Sequence, residues 1–363
     1  MKNRYLILIL AALLIAILPS CNKTKGINTL IITGQNENIR MVSSETVKTI
    51  LDETGIFSTK LLVTPPAAED LSGFSPKFSK YDLVVVDYDG IAWPQKATDA
   101  LMEFLKAGGG LVLCNSKIEP FIQLPDSIRE AKRNTFEVRN QDSSHPVLSG
   151  LPARWVQPND LIVRGLKLAG DNVEVLATAA EGGPRGPRNP ETILAARKVG
   201  EGRIFATMVG TPDGEENDAL HSAGFIITLQ RGAEWAATGS VTQEVPSDFP
   251  TAAGAVIRPD FKAIDPATAF GEMGSYDITK STKYFTWLQS QVRNAAGDKE
   301  ALLKLEMKMV EVLKNNSATI DAKKLILKEL SWMGTEYCLP AVKELSSVEE
   351  LKDQVDFALE RLN

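Results

Sequence analysis

The chain alternates short, wholly apolar runs with stretches that carry apolar residues at helical spacing. Thr29-Leu30-Ile31-Ile32-Thr33, Leu83–Val86 and Leu111-Val112-Leu113-Cys114 show no polar alternation. Such runs predict strands covered on both faces, as in a parallel sheet. Lys60–Val63 predicts another strand, stopped by Pro65-Pro66. Between the strands, Ser44–Glu53 sets Val47, Ile50 and Leu51 on one helical face, with Gly55 past its end. Gln95–Lys106 does the same with Leu101 and Leu105, and Gly108-Gly109-Gly110 ends it. The resulting β-α-β-β-α-β order predicts an α/β fold with right-handed crossovers. Its organising stretch is Leu101–Ser116, a helix end, a glycine turn and a buried strand that delivers Asn115 and Ser116 to the strand's carboxyl end. Ligands of open α/β sheets gather outside that edge.

The second half continues the pattern with weaker signals. Phe136–Val138 and Val173–Thr178 predict strands on either side of the turn-rich His145-Pro146…Gly150-Leu151-Pro152. Thr192–Lys198 and Arg203–Val209 predict a hairpin around Gly200-Glu201-Gly202, after a Gly/Pro/Arg loop at Gly182–Pro190. Ala219–Thr238 predicts one long helix with Phe225, Leu229 and Trp235 in its core face. Thr251–Lys283 has no sustained period and reads as a linker or wrapping segment. Beyond it, Leu302, Leu305, Met309 and Leu313 form one helical stripe, with Asp298 as N-cap. Ala322, Ile326, Leu330 and Met333 form a second stripe closed by Gly334, and Leu339–Leu345 is a short third helix. Ser347-Val348-Glu349-Glu350 has the pattern of a capping box opening a fourth. Paired short helices of this kind resemble HEAT-type repeats, and equally a plain helical cap. They bury little surface alone, so they pack on the main domain or on a protein partner. The expected organisation is residues 1–20 signal peptide, 21–27 tether, 28–250 α/β domain, 251–283 linker and 284–363 helical unit.

A length of 363 residues supports more than one folded part, and 44% hydrophobic with 24% charged residues is ordinary for globular protein. A net charge of −6 gives no electrostatic case for nucleic acid. Cys21, Cys114 and Cys338 make neither a CxxC pair nor a disulfide framework. The first residues read as an address: Lys2 and Arg4, the apolar run Tyr5–Leu18, then Leu18-Pro19-Ser20-Cys21, which resembles a bacterial lipobox. Cys21 is then the lipidation site; the alternative is an uncleaved anchor, for which the run is short. Asn22-Lys23-Thr24-Lys25 lacks an acidic export cluster, so the expectation is a periplasm-facing membrane lipoprotein.

Several stretches together resemble the ThuA-like (trehalose utilisation) family of the class I glutamine-amidotransferase-like superfamily. They are Leu30–Asn36, Tyr81-Asp82…Trp93-Pro94, Gly108–Val112, His145-Pro146…Gly150–Pro152, and Gly200–Phe205 running through Gly224-Phe225…Gly239. The resemblance covers about residues 28–250 and implies a flavodoxin-like sheet and a connection to sugar metabolism. The departures are specific. Where amidotransferase relatives carry a nucleophilic cysteine and similar ThuA-like proteins a histidine, this chain has Asn115. Cys114 falls one position early, which turns a strand side chain to the other face and makes it a core residue. Two further family histidines correspond to Asn38 and Thr211.

Asparagine and threonine hydrogen-bond sugars but are neither general bases near neutral pH nor usual zinc ligands. The predicted ligand contacts are therefore Gln35, Asn36, Asn38, Asn115 and Thr211, with no transition metal and no cofactor. Asp87 and two other acidic residues could supply oxygens only to a hard cation, without a motif behind them. Those two, Asp160 and Glu191, match family carboxylates and are the candidate catalytic pair; solvated loop residues are the plainer account of both. His145 reads as a turn residue, His221 as a solvated or satisfied helix residue, and Glu234 as a structural ion-pair partner of Arg231. Two functions stay open: a sugar-processing enzyme using Asp160 or Glu191 near Asn115, or a carbohydrate-binding or scaffolding lipoprotein that kept the fold and lost the chemistry.

Overall fold

The computed structural model describes residues 26–362, apart from 35–36, 67–68, 117, 124–132, 164, 166, 181–189, 213–217 and 281. The predicted apolar runs are strands: β1 (Ile27–Gly34), β2 (Phe57–Val63), β3 (Leu83–Tyr88) and β4 (Gly110–Cys114). They pair in parallel in the order β2-β1-β3-β4. Leu83–Val86 and Leu111–Leu113 have no solvent exposure, as covered strands require. α1 (Glu37–Glu53) and α2 (Gln95–Lys106) are crossover helices. α1 starts seven residues before Ser44, in a stretch where Ile39, Met41 and Val42 stand among polar residues.

Beyond β4, the short strands β5 (Ile122–Gln123) and β8 (Lys167–Leu168) pair with each other, and five further strands join the main sheet. They are β6 (Asn134–Asn140), β7 (Arg154–Asp160), β9 (Glu174–Ala179), β10 (Glu191–Val199) and β11 (Gly202–Thr207). The predicted hairpin is β10–β11, and β11 lies parallel against β4. The sheet has nine strands in the order β2-β1-β3-β4-β11-β10-β9-β6-β7, with β4 well inside it and an antiparallel wing beyond β11.

The long helix expected over Ala219–Thr238 is broken at Ser222 into α3 (Asp218–His221) and α4 (Ala223–Thr238). The break serves the segment behind it, since Ala223 N donates to Val256 O and Arg258 N to His221 O. α4 is buried along nearly its whole length and crosses close over the sheet. A Cβ on Gly232 would lie 2.3 Å from the Phe205 ring, so only glycine permits that approach. Its C-terminal carbonyls, on Trp235, Ala236 and Ala237, accept from the Arg203 guanidinium at 3.0–3.1 Å. The Gly200–Arg203 motif is thus a helix cap rather than a site.

The chain then wraps the α/β core. Arg258 grips Asp248 with two hydrogen bonds, of 2.8 and 2.5 Å, and both side chains are buried. Residues expected to lack periodicity include two helices, α5 (Pro266–Gly274), capped by Asp265, and α6 (Lys283–Asn294), which begins at its end. They share a second hydrophobic cluster with α7 (Lys299–Lys314), α8 (Ile320–Met333), α9 (Leu339–Glu344) and α10 (Lys352–Leu362). Asp298 caps α7 as expected, accepting from Glu300 N and Ala301 N at 3.0 Å. Ser347 does not form the expected capping box. A 3₁₀ turn at Glu349–Leu351 without a side-chain cap precedes α10. Buried Glu306 ties the α8–α9 corner by accepting from Thr335 N and Cys338 N, at 2.7 and 3.1 Å. The helical unit meets the wrapping segment through Lys283–Asp260 at 2.6 Å and Thr251–Asn294 at 2.6 Å.

Candidate functional site

Five parallel strands send their carboxyl ends to one edge, and the polar residues of the chain collect there. Asn115 follows β4 with φ of 45°, a left-handed conformation that few residues but glycine and asparagine adopt cheaply. Its backbone N–H extends the ladder to Thr207 O at 2.9 Å. Its side chain then reaches across, donating from Nδ2 to Val209 O at 3.1 Å. Thr211 Oγ1 stands 3.4 Å from Asn115 Oδ1, so two residues predicted apart in sequence meet in space. Cys114, one residue earlier, is buried in the core.

Asp160, at the end of β7, has no solvent exposure. Its Oδ2 accepts from Gly210 N at 2.7 Å and Gln157 Nε2 at 2.9 Å. Its Oδ1 accepts from Leu161 N at 2.7 Å and Thr211 N at 3.2 Å. Burial raises its pKa above the ordinary carboxylate range, against the hydrogen bonds that lower it. The carboxylate is therefore a frame: it holds the β11 exit loop so that Thr211 meets Asn115. Arg133 braces the same loop from outside, donating to the carbonyls of Asn159, Thr211 and Pro212 at 3.0, 3.0 and 2.6 Å. Nothing in the sequence singles Arg133 out, because its partners are backbone carbonyls remote along the chain.

Glu191 opens β10, and the register Leu194↔Thr207 sets it level with the stretch leading to Gly210. It is half-buried and accepts from Gly165 N at 3.0 Å. Neither candidate carboxylate is thus a freely solvated loop residue. Asp87, near the end of β3, is buried and accepts from Ser44 Oγ at 2.8 Å. Asn38 lies in the first turn of α1, its side chain outside the described residues, as are Gln35, Asn36, Cys21 and the loop through residues 182–189. Among the described residues no three His, Cys, Asp or Glu side chains converge as a metal site would need.

The histidines and the expected ion pair belong to the scaffold. His145 is buried against Trp235, with ring centres 4.7 Å apart, and burial lowers its pKa. His221 stacks on Phe261 and bonds through Nδ1 to Arg258 O at 3.1 Å. Arg231 does not pair with Glu234 as predicted. Its guanidinium serves the carbonyls of Pro146, Val147 and Ser149 at 2.8–2.9 Å, and that of Gln243. Glu234 instead accepts from Thr242 N at 2.8 Å and from the Gln243 side chain at 3.1 Å. The His145–Pro152 motif is thereby a turn pinned by an arginine.

A pocket of about 240 Å³ opens between the exits of β3 and β4, lined by Tyr88, Gly90, Ile91, Trp93, Ile118 and Glu119; Asn115 is not among its lining residues. Ser116, next along, ties the β4 exit to β3, its Oγ donating to Tyr88 O at 3.1 Å. A larger hollow, about 680 Å³, lies around Phe78, Asp82, Phe104 and Gly109, at the amino ends of the strands and so away from the edge where α/β ligands bind.

A doubly wound, flavodoxin-like sheet with polar side chains gathered at its carboxyl edge defines a class of α/β proteins that bind small ligands there. Within that class, the family model described as ThuA, trehalose utilisation, matches residues 28–236, and the chain belongs to that family. It is similar to a ThuA-like protein from Parabacteroides merdae ATCC 43184 of known crystal structure. The two are 32% identical with a TM-score of 0.59, over 66% of this chain and all of the other. A ThuA-like protein from Bacteroides uniformis ATCC 8492 is 17% identical over 62% of this chain and 97% of its own, with a TM-score of 0.42. Comparison with curated proteins gives no match.

Proposed function

We propose that this ThuA-family protein binds a carbohydrate at the carboxyl edge of its sheet and that Asp160 does not act there as an acid or base. One observation carries the reading. Both oxygens of Asp160 are occupied by four donors, and the group is shut off from solvent. A general acid or base must reach the proton it moves, and this one is taken up by backbone N–H groups and the side chains of Gln157 and Thr211. What the edge offers a ligand is neutral hydrogen bonding from Asn115 and Thr211, which suits sugar hydroxyls. The rival, a sugar-processing enzyme, draws support from the raised pKa of Asp160, since catalytic carboxyls are often perturbed that way. Calorimetric titration of glucose, trehalose and other disaccharides against the full chain tests the binding. Saturable heat that Asn115→Ala and Thr211→Val remove supports it; no heat with any sugar sinks it.

We propose separately that the protein is lipid-anchored, held through Cys21 and facing the periplasm. Lys2, Arg4, the apolar run and Leu18–Cys21 support this. No helix among the described residues is long and apolar enough to cross a membrane.

A further inference from the structure

The chain enters the sheet at the edge opposite the polar cluster. Ile27 opens β1, and Asn28 is tied at once to the residue before β3. Asn28 N donates to Asp82 Oδ2 and Asp82 N to Asn28 O, both at 2.9 Å. Asp82 lines the hollow of about 680 Å³ among the amino ends of the strands, with Lys77, Ser79, Tyr81, Glu103 and Phe104. The point of entry is therefore the rim of that hollow. From Cys21 to Ile27 the chain runs six residues, which extend to about 20 Å at most. An α/β unit of about 220 residues is roughly 45 Å across. A lipid on Cys21 thus holds the amino edge beside the bilayer and leaves the carboxyl edge, with Asn115 and Thr211, beyond its reach.

The charges of this edge fit such a surface. Lys77 and Lys80 are exposed and make no ion pair among the described residues. Glu103 is neutralised by Lys106 at 2.8 Å, and Asp82 spends Oδ2 on Asn28 N. Glu201, beside Gly108, is offset by Arg203 two residues on. Four bases thus stand against three acids here, on a chain whose net charge is −6, and Lys23 and Lys25 in the tether add two more positive charges. Bases close to a membrane are drawn to its anionic lipids. The walls favour headgroups over hydrocarbon tails, since Phe78 is buried and Tyr81 and Phe104 are half-buried.

We propose that the amino edge of the sheet is a membrane-docking surface, with Lys77 and Lys80 against the phosphates of anionic phospholipid and a headgroup seated in the hollow. This surface rests on the Cys21 anchor proposed above and adds which face meets the bilayer. The strand exits then lie about 20 Å further out along β3, where Asn115 and Thr211 face the aqueous side.

The test uses the full chain purified with its lipid and reconstituted into vesicles of phosphatidylcholine and phosphatidylglycerol in equal parts. Cys114 and Cys338 are buried, so a thiol-reactive fluorophore goes to one introduced cysteine. Ser79→Cys places it at the amino edge and Lys96→Cys at the start of α2, both at exposed positions. A nitroxide on the lipid headgroup is expected to quench the first label about threefold or more over the second, since the attraction fades within a Debye length of the surface. The charge reversal Lys77→Glu with Lys80→Glu, and vesicles of phosphatidylcholine alone, are each expected to remove most of that difference. Both lysines are exposed, so the double variant folds. Equal quenching at the two positions, in a protein that floats with the vesicles, overturns the docking surface and leaves the anchor standing. An undiminished difference in the charge-reversed variant overturns the headgroup contact as well. A chain that carries no lipid and does not float overturns the anchor and the docking surface together.

Discussion

Asp160→Ala is the sharpest perturbation of the strand edge, because one side chain there holds four donors. Removing it leaves Gly210 N–H without an acceptor, at about 1–3 kcal/mol, and frees one of the two Gln157 amide hydrogens, the other staying with Ala219 O at 3.2 Å. Leu161 and Thr211 are half-buried and recover water, so they add little. Relief of the desolvated carboxylate offsets part of the loss, and the net destabilisation is about 2–4 kcal/mol. For a unit of this size that lowers Tm by roughly 5–15 °C. Asp160→Asn separates shape from charge. Gln157 Oε1 has no partner and can accept from the new Nδ2 only if the amide turns and gives up its bond to Ala219 O, so the variant leaves Gly210 N–H and one of these groups unpaired, a cost of about 1–3 kcal/mol. Burial raises the folded pKa above 3.8, so the folded state holds this proton more tightly than the unfolded chain does. Its contribution to stability is full below about pH 4 and is lost as pH rises through the raised value. The stability gap between wild type and Asp160→Asn is therefore widest near pH 4 and narrows upward. Thermal unfolding followed by near-UV circular dichroism across pH 4–8 measures it. A gap that widens with pH, or an alanine variant within about 0.5 kcal/mol of wild type, refutes the framing role.

Other outcomes follow from the same geometry. Asn115→Ala and Asn115→Gly both lose the bond to Val209 O, but alanine is expected to cost about 1 kcal/mol more at φ of 45°, and equal costs would remove backbone strain from the account. Arg231→Met orphans carbonyls of the His145–Ser149 turn, so limited proteolysis should cut there in the variant and not in wild type. Arg231→Lys should not rescue it, since an ammonium lacks the guanidinium's fork. Cys21→Ala should shift the protein out of the membrane fraction; wild type that never incorporates labelled fatty acid would end the lipid-anchor reading.

The parts of the fold that could be read in advance are those where burial leaves a compositional mark. Leu83–Val86 and Leu111–Cys114 are apolar because both their faces are covered, and the same holds for β1. β7 left no such mark. Arg154–Asp160 mixes exposed Arg154 and half-buried Val156 and Asn159 with buried Trp155, Gln157, Pro158 and Asp160, so burial there falls on polar residues and a proline, as an outermost strand of the sheet allows. Gly200–Arg203 was legible as a motif but not as a helix cap, because its partners are carbonyls of a helix more than thirty residues on. The strand-end cluster divides the same way. Asn115 could be placed from its strand, and Thr211 from the resemblance. Asp160's service to Gly210 and Thr211 spans some fifty residues of chain and obeys no local period. Trp93 and Glu119 could not be joined at all, since only the adjacency of β3 and β4 brings their loops to one pocket.

The central claim, a carbohydrate site framed rather than driven by Asp160, is tested most directly by turnover at saturation. The full chain is loaded with the sugar it binds most tightly, and the sugar is followed chromatographically for wild type and Asp160→Asn. The account predicts binding by both, weaker in the variant, and unchanged sugar in each. Product formed by wild type and lost in Asp160→Asn, with binding retained, would contradict it.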